Sequence, residues 1–443
     1  MNERLKNGAN RVIKLGLLGV GTVGSGVATV LAKNSDVITA RSAEIQLARI
    51  VDKDIEKATA LAKNLGLNDA VISGDYHDLL NDDEIEIVVE VVGSIEMPKA
   101  FISAALAKGK SVVTANKDLM SSYGSELLQL AVENGADLFF EASVAGGIPI
   151  IQAMRESLSA NHFSQIMGIL NGTTNYILTA MSNKGQSFDE ALSEAKALGY
   201  AEANPTSDIE NYDAARKIAI LASIAFNSRV KDSMVPVEGI TKISSWDITY
   251  AKEFGYEIKS VGIAKFDGQE IEVRVHPAMI PVSHPLATVA DSYNAVFVDA
   301  DALEKAMFYG RGAGSLPTGS AIVGDIMHAA RNIIYDSRSQ WGCSCYKDIP
   351  VKPLAETVSK YYVRISAYDR PGVFAAITDV LGSENVSMDA VMQKRRLSAD
   401  LAEIVMITHK VKHANMVKAL EKIAHLECVA EVENIIRVEE NDA

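Results

Sequence analysis

The sequence predicts an α/β protein in three parts: a doubly wound parallel sheet, a mixed α+β domain, and a C-terminal ferredoxin-like βαββαβ module. Three observations carry this. From Val12 to Phe140, apolar runs of strand length alternate with helical stretches, the pattern of a parallel sheet with helical crossovers. The first run ends in Gly19-Val20-Gly21-Thr22-Val23-Gly24, followed by a helical pattern through Val27, Val30 and Leu31. After the patternless stretch 336–356 the period changes, and the remaining chain reads strand, helix, strand, strand, helix, strand.

Length and composition set bounds. A chain of 443 residues holds two or three domains, and 48% hydrophobic residues suffice for large cores. A net charge of -14 speaks against nucleic acid and against anionic membranes as partners. Cys343, Cys345 and Cys428 make no disulfide framework. The Cys-Ser-Cys pair lacks the spacing of a zinc knuckle, which leaves reduced thiols. The start MNERLKNGANR has no apolar run and no stretch reaches the ~20 apolar residues of a membrane span, so a cytoplasmic protein is expected.

Strand, GxGxxG and helix in that order form a dinucleotide-binding context. Gly19 permits the tight turn, Gly21 lets the backbone approach a pyrophosphate, and Gly24 lets helix and strand pack closely. Thr22 and Val23 open the helix whose N-terminus favours phosphate. The bland alternative is a glycine-rich turn of any α/β domain. Ile45 to Val51 reads as the second strand, ending at Asp52. That carboxylate would accept from a ribose 2′-OH and favour NAD, yet Arg49 and Lys53 stand close enough to meet a 2′-phosphate, and Asp52 would equally serve as a cap. Ile85–Val92 leads into Gly93-Ser94, Ser111–Thr114 into Ala115-Asn116-Lys117, and Leu138–Phe140 into Glu141. All of these fall at carboxyl ends of strands, the ligand-binding edge of such sheets.

The loop Glu141 to Pro149 contains two glycines. Its carbonyls with one carboxylate would suit a hard cation, although a turn needing glycine dihedrals explains it as well. Gly168 to Asn175 ends a strand and starts a helix; its polar groups would hold a small polar substrate or simply cap. The stretch Gly199 to Leu221 comes next. Ser207 followed by Glu210 predicts a capping-box helix start. From Ala214 to Phe226 the helix is apolar on nearly every side, as a buried helix is. It carries Asp213 and Lys217 one turn apart. They read either as a plain i,i+4 ion pair or as a lysine in a cleft, suited to proton transfer. Farther on, Tyr309 to Gly314 is a second glycine-rich loop, before a helix from Ala321 to Ile334.

Several of these stretches, in order, resemble homoserine dehydrogenase: GVGTVGSGV from Gly19, TANK at 114–117, EASVAGGIPI at 141–150, GILNGTTNYIL at 168–178 and GYAEANPTSDIENYDAARK at 199–217. The tail, with Asp369-Arg370-Pro371-Gly372-Val373, resembles an ACT domain. With no kinase-like region before Val12, the chain is similar to the monofunctional enzymes. The resemblance implies a Rossmann-type dinucleotide-binding domain over 1–135 and a substrate-binding and dimerisation domain over 136–310. A return helix and linker over 311–345 and an ACT regulatory domain over 356–443 follow. It implies reversible reduction of L-aspartate 4-semialdehyde to L-homoserine with NADPH or NADH, in threonine, methionine and isoleucine biosynthesis.

The resemblance also assigns residues. Lys217 resembles the proton donor, with Lys117 the second lysine beside the nicotinamide. Glu202 and Asp213 resemble the carboxylates that hold the substrate amine; Asp208 and Gly199 belong to the same substrate site. Gly19, Gly21, Thr22, Val23, Gly24, Gly93, Ser94, Lys117 and Gly314 are the cofactor residues. The Glu141 carboxylate with backbone oxygens of Val144, Gly146 and Ile148 resembles a monovalent-cation site, for sodium or potassium. Arg311 and Gly319 stand where many members have proline and alanine, which touches only the shape of the nicotinamide side. An amino acid, foremost L-threonine, is the expected effector, at Asp369, Gly372, Val373 and Asn385; locally, Asp369 reads equally as a helix cap. A homodimer or homotetramer is expected. A different NAD(P)-dependent reductase of a small amino-acid aldehyde or ketone, or a non-catalytic nucleotide and amino-acid sensor, are the other readings. Retention of both lysines favours the enzyme.

Overall fold

The computed structural model describes residues 11–340, 342–396, 398 and 400–440. The segment 1–10, read above as lacking a signal peptide, lies outside the described residues. The chain divides into two compact units, one of 1–166, 219–232 and 298–349, the other of 167–218, 233–297 and 350–443.

In the first unit a parallel sheet runs β3-β2-β1-β4-β5-β6. Its strands are β1 (Val12–Leu18), β2 (Glu44–Val51), β3 (Val71–Ser73), β4 (Ile87–Glu90), β5 (Ser111–Thr114) and β6 (Leu138–Phe139). The order reverses between β1 and β4, so a crevice opens at their carboxyl ends. Near-continuous apolar runs such as Ile87-Val88-Val89 form strands here because helices cover the sheet and bury them completely. The helices that matter below are α1 (Thr22–Lys33), α2 (Glu96–Ala107), α3 (Lys117–Glu133) and, late in the chain, α7 (Ser315–Tyr335). Helix α7 packs on α1 with no room to spare: a Cβ on Gly319 would lie 2.6 Å from the Gly26 carbonyl carbon, and one on Gly26 2.0 Å from the Ser315 oxygen.

In the second unit a mixed sheet joins two parts of the sequence. It includes the second-unit stretches of β7 (Phe163–Ile169) and β10 (Tyr293–Ala300), with β8 (Tyr256–Phe266) and β9 (Ile271–Pro281). The C-terminal module adds β12 (Val358–Tyr368), β13 (Met388–Met392), β14 (Leu401–Thr408), the short β15 (Val411–Lys412) and β16 (Val429–Val438). The hairpin strand β11 (Glu304–Arg311) belongs to the first unit. The order β9-β16-β12-β14-β13 embeds a ferredoxin-like sheet, strands 4-1-3-2 of the module, beside the preceding domain. The seam is a parallel pairing of Arg437 and Val438 with Ala278 and Met279. Helices α4 (Gly172–Lys184), α5 (Tyr212–Phe226, which continues into the first unit) and α6 (Ser245–Glu253) precede the seam; α8 (Val373–Ser383) and α9 (His413–Ala424) belong to the module.

Buried polar groups lock the seam. Arg364 on β12 donates to Asp247 at 2.8 Å and to Glu403 at 2.9 Å, and Tyr250 donates to the other Glu403 oxygen at 2.6 Å. Asn434 donates to Asp247 at 2.9 Å. Beside them, Arg274 pairs with Glu439 at 2.7 Å. Burial would raise the Glu439 pKa, but Arg274 and Lys265 overrule it and hold the carboxyl well below its usual range. Tyr176, Ile248, Tyr362, Val405 and Ile436 share one apolar core, so the module and the preceding domain bury surface together.

Candidate active site

In the first unit the glycine turn closes tightly. Gly19, at φ +102°, donates to the Val51 carbonyl at 2.8 Å. Gly24 has no room for a side chain: a Cβ would sit 1.9 Å from the Gly19 oxygen. Gly21 is the opposite case. It is exposed, is the N-cap position of α1, and a Cβ there would meet nothing within 4 Å. Thr22 and Val23 follow as the first helical residues, so free helix-start amides face an open cradle that fits a pyrophosphate. Asp52 braces this turn, accepting from Val20 N at 2.6 Å and from Asp54 N at 2.9 Å. Capping of the next helix falls to Asp54, which accepts from Lys57 N.

Across the crevice, β4 ends in Glu90, fully buried. Burial pushes its carboxyl up, against hydrogen bonds from Thr114 at 2.7 Å and Val92 N at 2.8 Å. Gly93 and Ser94 follow with φ of +80° and +69°, both exposed. Asn116 ties that turn to the next one: its Nδ2 donates to the Ser94 carbonyl at 2.7 Å while its Oδ1 caps α3 through Leu119 N at 3.0 Å. Lys117, half-buried, is the first residue of α3. Gly314, at φ +120°, is the N-cap position of α7.

The Glu141 loop is buried except at Gly147 and Pro149. Both carboxylate oxygens of Glu141 accept from amides, Ile151 at 2.8 Å and Gln152 at 2.7 Å, and burial still pushes the carboxyl up. Val144, Gly146 and Ile148 are buried in the same loop, and Gly146 lies against Gly312, where a Cβ would approach within 2.4 Å. The Glu141 carboxylate is thus first of all an acceptor for the chain's own amides.

The second unit holds the charged cluster. Lys217 Nζ lies 2.6 Å from Asp213 Oδ2 and donates to the Leu170 carbonyl at 2.8 Å. Asn171 Nδ2 donates to Asp213 at 2.9 Å and to Asp208 at 2.8 Å, while its Oδ1 caps α4 through Thr174 N. Asn171 is therefore both cap and site residue. Burial and the neighbouring Asp213 charge push the Asp208 carboxyl up. Lys217 and Asp213 side chains are only 12% and 9% exposed, which removes the pair from the solvated surface class. Glu202 and Gly199 sit exposed on the turn after the helix Phe188–Ala197, and Glu202 does not join the ring.

The helix start differs from the expected capping box. Ser207 lies inside a separate short helix, Thr206–Ile209, and α5 begins only at Tyr212. The break is Asn211, fully buried at φ +65°. Its Nδ2 donates to the Glu238 carbonyl at 2.7 Å and its Oδ1 accepts from Ser260 at 2.7 Å. This anchor, invisible to helix-start rules because Asn in the left-handed region ends one turn and begins another, fixes where Asp213 and Lys217 point.

In the C-terminal module, Asp369 pairs with Arg396 at 2.9 Å rather than capping. Gly372, at φ +90°, is the N-cap position of α8 with open space around it, so Pro371 lies in the turn and not in the first helical turn. Val373 is buried, and Asn385 stands at φ +58°.

Three family models match the chain. Residues 19–141 match "Homoserine dehydrogenase, NAD binding domain", residues 149–327 match "Homoserine dehydrogenase", and residues 361–428 match "ACT domain". The homoserine dehydrogenase of Bacillus subtilis is 41% identical over 433 residues, covering 97% of this chain and 99% of that one. That of Neisseria gonorrhoeae is 42% identical over 433 residues, at 96% and 98% coverage. The crystal structure of a homoserine dehydrogenase from Thiobacillus denitrificans superposes with a TM-score of 0.91 at 42% identity, covering 97% of this chain and 99% of that one. A hyperthermophilic archaeal homoserine dehydrogenase in complex with NADPH matches 72% of this chain and 98% of its own length, with a TM-score of 0.60 and 28% identity. With the open glycine cradle and the lysine–carboxylate ring in place, the chain belongs to the homoserine dehydrogenase family, the NAD(P)-dependent oxidoreductases whose nucleotide-binding, catalytic and ACT parts it carries in that order.

Proposed function

We propose that this chain reduces L-aspartate 4-semialdehyde reversibly to L-homoserine, with Lys217 as proton donor. The observation that carries the reading is the buried contact of Lys217 with Asp213, itself gripped by Asn171. The nicotinamide, when bound, supplies the hydride to the aldehyde carbon. Charge then develops on the carbonyl oxygen, and an ammonium at hydrogen-bond distance stabilises it and delivers the proton, typically worth ~10²–10⁴ in rate. Asp213, with the Leu170 carbonyl, holds the Lys217 ammonium in place. Asp213, Asp208 and Glu202 are the carboxylates assigned to the substrate ammonium, Gly199 to the turn beside it, and Lys117 to the second cationic position. Gly19, Gly21, Thr22, Val23, Gly24, Gly93, Ser94 and Gly314 are assigned to the dinucleotide, NADP or NAD.

The reading extends to three finer points. A monovalent cation is assigned to backbone oxygens of Val144, Gly146 and Ile148 with Glu141. The ACT domain is assigned an amino-acid effector, foremost L-threonine, at Asp369, Gly372, Val373 and Asn385. The assembly is at least a homodimer, in the cytoplasm. The decisive experiment is absorbance in the reduced-nicotinamide band with L-homoserine and NADP or NAD. Growth of the band supports the reading. No growth with either cofactor, in protein shown to bind one of them, rejects it.

A further inference from the structure

The Cys-Ser-Cys stretch takes no part in either cluster, yet it is folded into a recess of the first unit that also holds Arg155 and Arg229. Cys343 and Cys345 are both half-buried. The Cys345 amide donates to Cys343 Sγ at 3.4 Å, and the Cys345 thiol lies 3.9 Å from the Ser223 carbonyl, so both sulfurs are held at this recess. Arg155 donates to the Gly342 carbonyl at 3.2 Å, which pins the residue before Cys343. Arg229, held by the Ser121 carbonyl at 2.5 Å, lines the same recess as both cysteines. A neighbouring cavity of about 320 Å³, lined by Arg155, Asn161, Asn227, Cys343 and Ser344, gives a small molecule access to Cys343.

We propose that Cys343 and Cys345 form a hydroperoxide-reactive dithiol, in which Cys343 is oxidised first and Cys345 resolves it to an intrachain disulfide. The thiolate of Cys343 attacks the outer oxygen of a hydroperoxide. An S–O bond forms, the O–O bond breaks, and the leaving alkoxide or hydroxide takes a proton from solvent. The Cys345 sulfur then attacks the sulfenic sulfur, loses its proton, and water departs. Two thiols and one hydroperoxide give one disulfide, one alcohol or water, and one water.

The electrostatics fit the division of roles. Hydrogen bonds from the Cys345 side chain and amide, with Arg229 and Arg155 nearby, outweigh burial and bring the Cys343 thiol down to about 6. The hydrogen bond to Cys343 and burial push the Cys345 thiol up, so it stays protonated until the sulfenic acid forms. Cα atoms two residues apart, about 5–7 Å, overlap the span of a disulfide.

The test uses the full chain with hydrogen peroxide as probe, read by peptide mass. The expected product is a Cys343–Cys345 disulfide, two hydrogens lighter, with Cys428 still a thiol. In Cys345→Ser, a 1,3-dicarbonyl reagent traps a sulfenic acid at Cys343; in Cys343→Ser, Cys345 stays reduced at the same dose. In the wild type, alkylation of Cys343 by iodoacetamide is half-maximal near pH 6, against about 8.5 for an ordinary thiol. Arg229→Gln moves that midpoint upward. A wild-type chain in which Cys428 oxidises first, or in which no Cys343–Cys345 disulfide forms, overturns the proposal whether or not the variants fold.

Discussion

Asn211 donates its side-chain amide to the carbonyl of Glu238 at 2.7 Å, and this bond anchors the start of the helix that carries Asp213 and Lys217. Glu238 in turn accepts from Arg437 on β16 at 2.6 Å. Asn211→Gly keeps the left-handed backbone and removes both side-chain bonds, leaving Ser260 and the Glu238 carbonyl unpaired. Each loss costs about 1–3 kcal/mol. Asn211→Ala adds about 1–2 kcal/mol of backbone strain. Chemical denaturation should rank wild type, then Gly, then Ala. Turnover by the folded Gly variant should fall while its cofactor affinity holds; equal turnover would show that the anchor matters to folding alone.

Lys217→Ala and Lys117→Ala should each lower kcat by ~10²–10⁴ with cofactor binding largely intact. Asp213→Ala should act on KM as well, because the carboxylate holds Lys217 and is the group proposed to meet the substrate ammonium. Steady-state kinetics separate these effects. Near-normal turnover in either lysine variant would take that residue out of the chemistry.

Two glycines of one turn should fail in different ways. Gly21→Val places its side chain in open space, so the protein should melt as wild type does while dinucleotide affinity collapses. Gly24→Ala forces a Cβ to within 1.9 Å of the Gly19 oxygen, so both stability and affinity should drop. Melting curves with and without cofactor distinguish the two.

The proposed effector site is tested by activity against threonine concentration. Asp369→Ala removes a carboxylate now paired with Arg396, and should weaken the response to threonine without changing the activity measured in its absence. Inhibition requires that threonine bind the less active state more tightly. An unaltered response would move the effector site away from Asp369.

The Arg274–Glu439 pair gives the seam a pH dependence with a definite sign. The folded-state pKa of Glu439 is depressed, so its contribution is complete above the ordinary carboxyl value of about 4.3. It is lost as pH falls below that value toward the depressed one. Glu439→Gln should therefore be less stable at neutral pH, by less than the ~3–5 kcal/mol of a fully unpaired buried charge because Glu272 still pairs with Arg274, and show a shallower loss of stability below about pH 4. Denaturation midpoints at neutral and acid pH check this.

Much of the fold is legible in sequence because single-element patterns decide it. Helix α9 and strand β16, His413–Ala424 and Val429–Val438, are the helix and strand that close the expected βαββαβ order. Strand β8 is not legible. Its Glu257-Ile258-Lys259-Ser260 has no alternation, because both faces are buried and its polar groups find partners inside, Lys259 on the Val289 carbonyl and Ser260 on Asn211. In the candidate site, Asp213 and Lys217 are visible as neighbours on one helix. Asn171, 42 residues before Asp213, joins them only through tertiary packing. Its place just before a helix leaves capping and a site role both open in the sequence, and the structure shows it making both bonds at once.

The seam between β9 and β16 also sets an order of events during synthesis. Strand β9 ends at Pro281 and its partner β16 begins at Val429. Roughly 150 residues must leave the ribosome between them, on the order of ten seconds at ~5–20 residues per second. For that interval the nascent chain presents a bare strand edge, the kind of surface that recruits chaperones or pairs with a neighbouring chain. A message cut short after residue 348 would leave that edge bare for good, so loss of the tail is a folding lesion before it is a regulatory one.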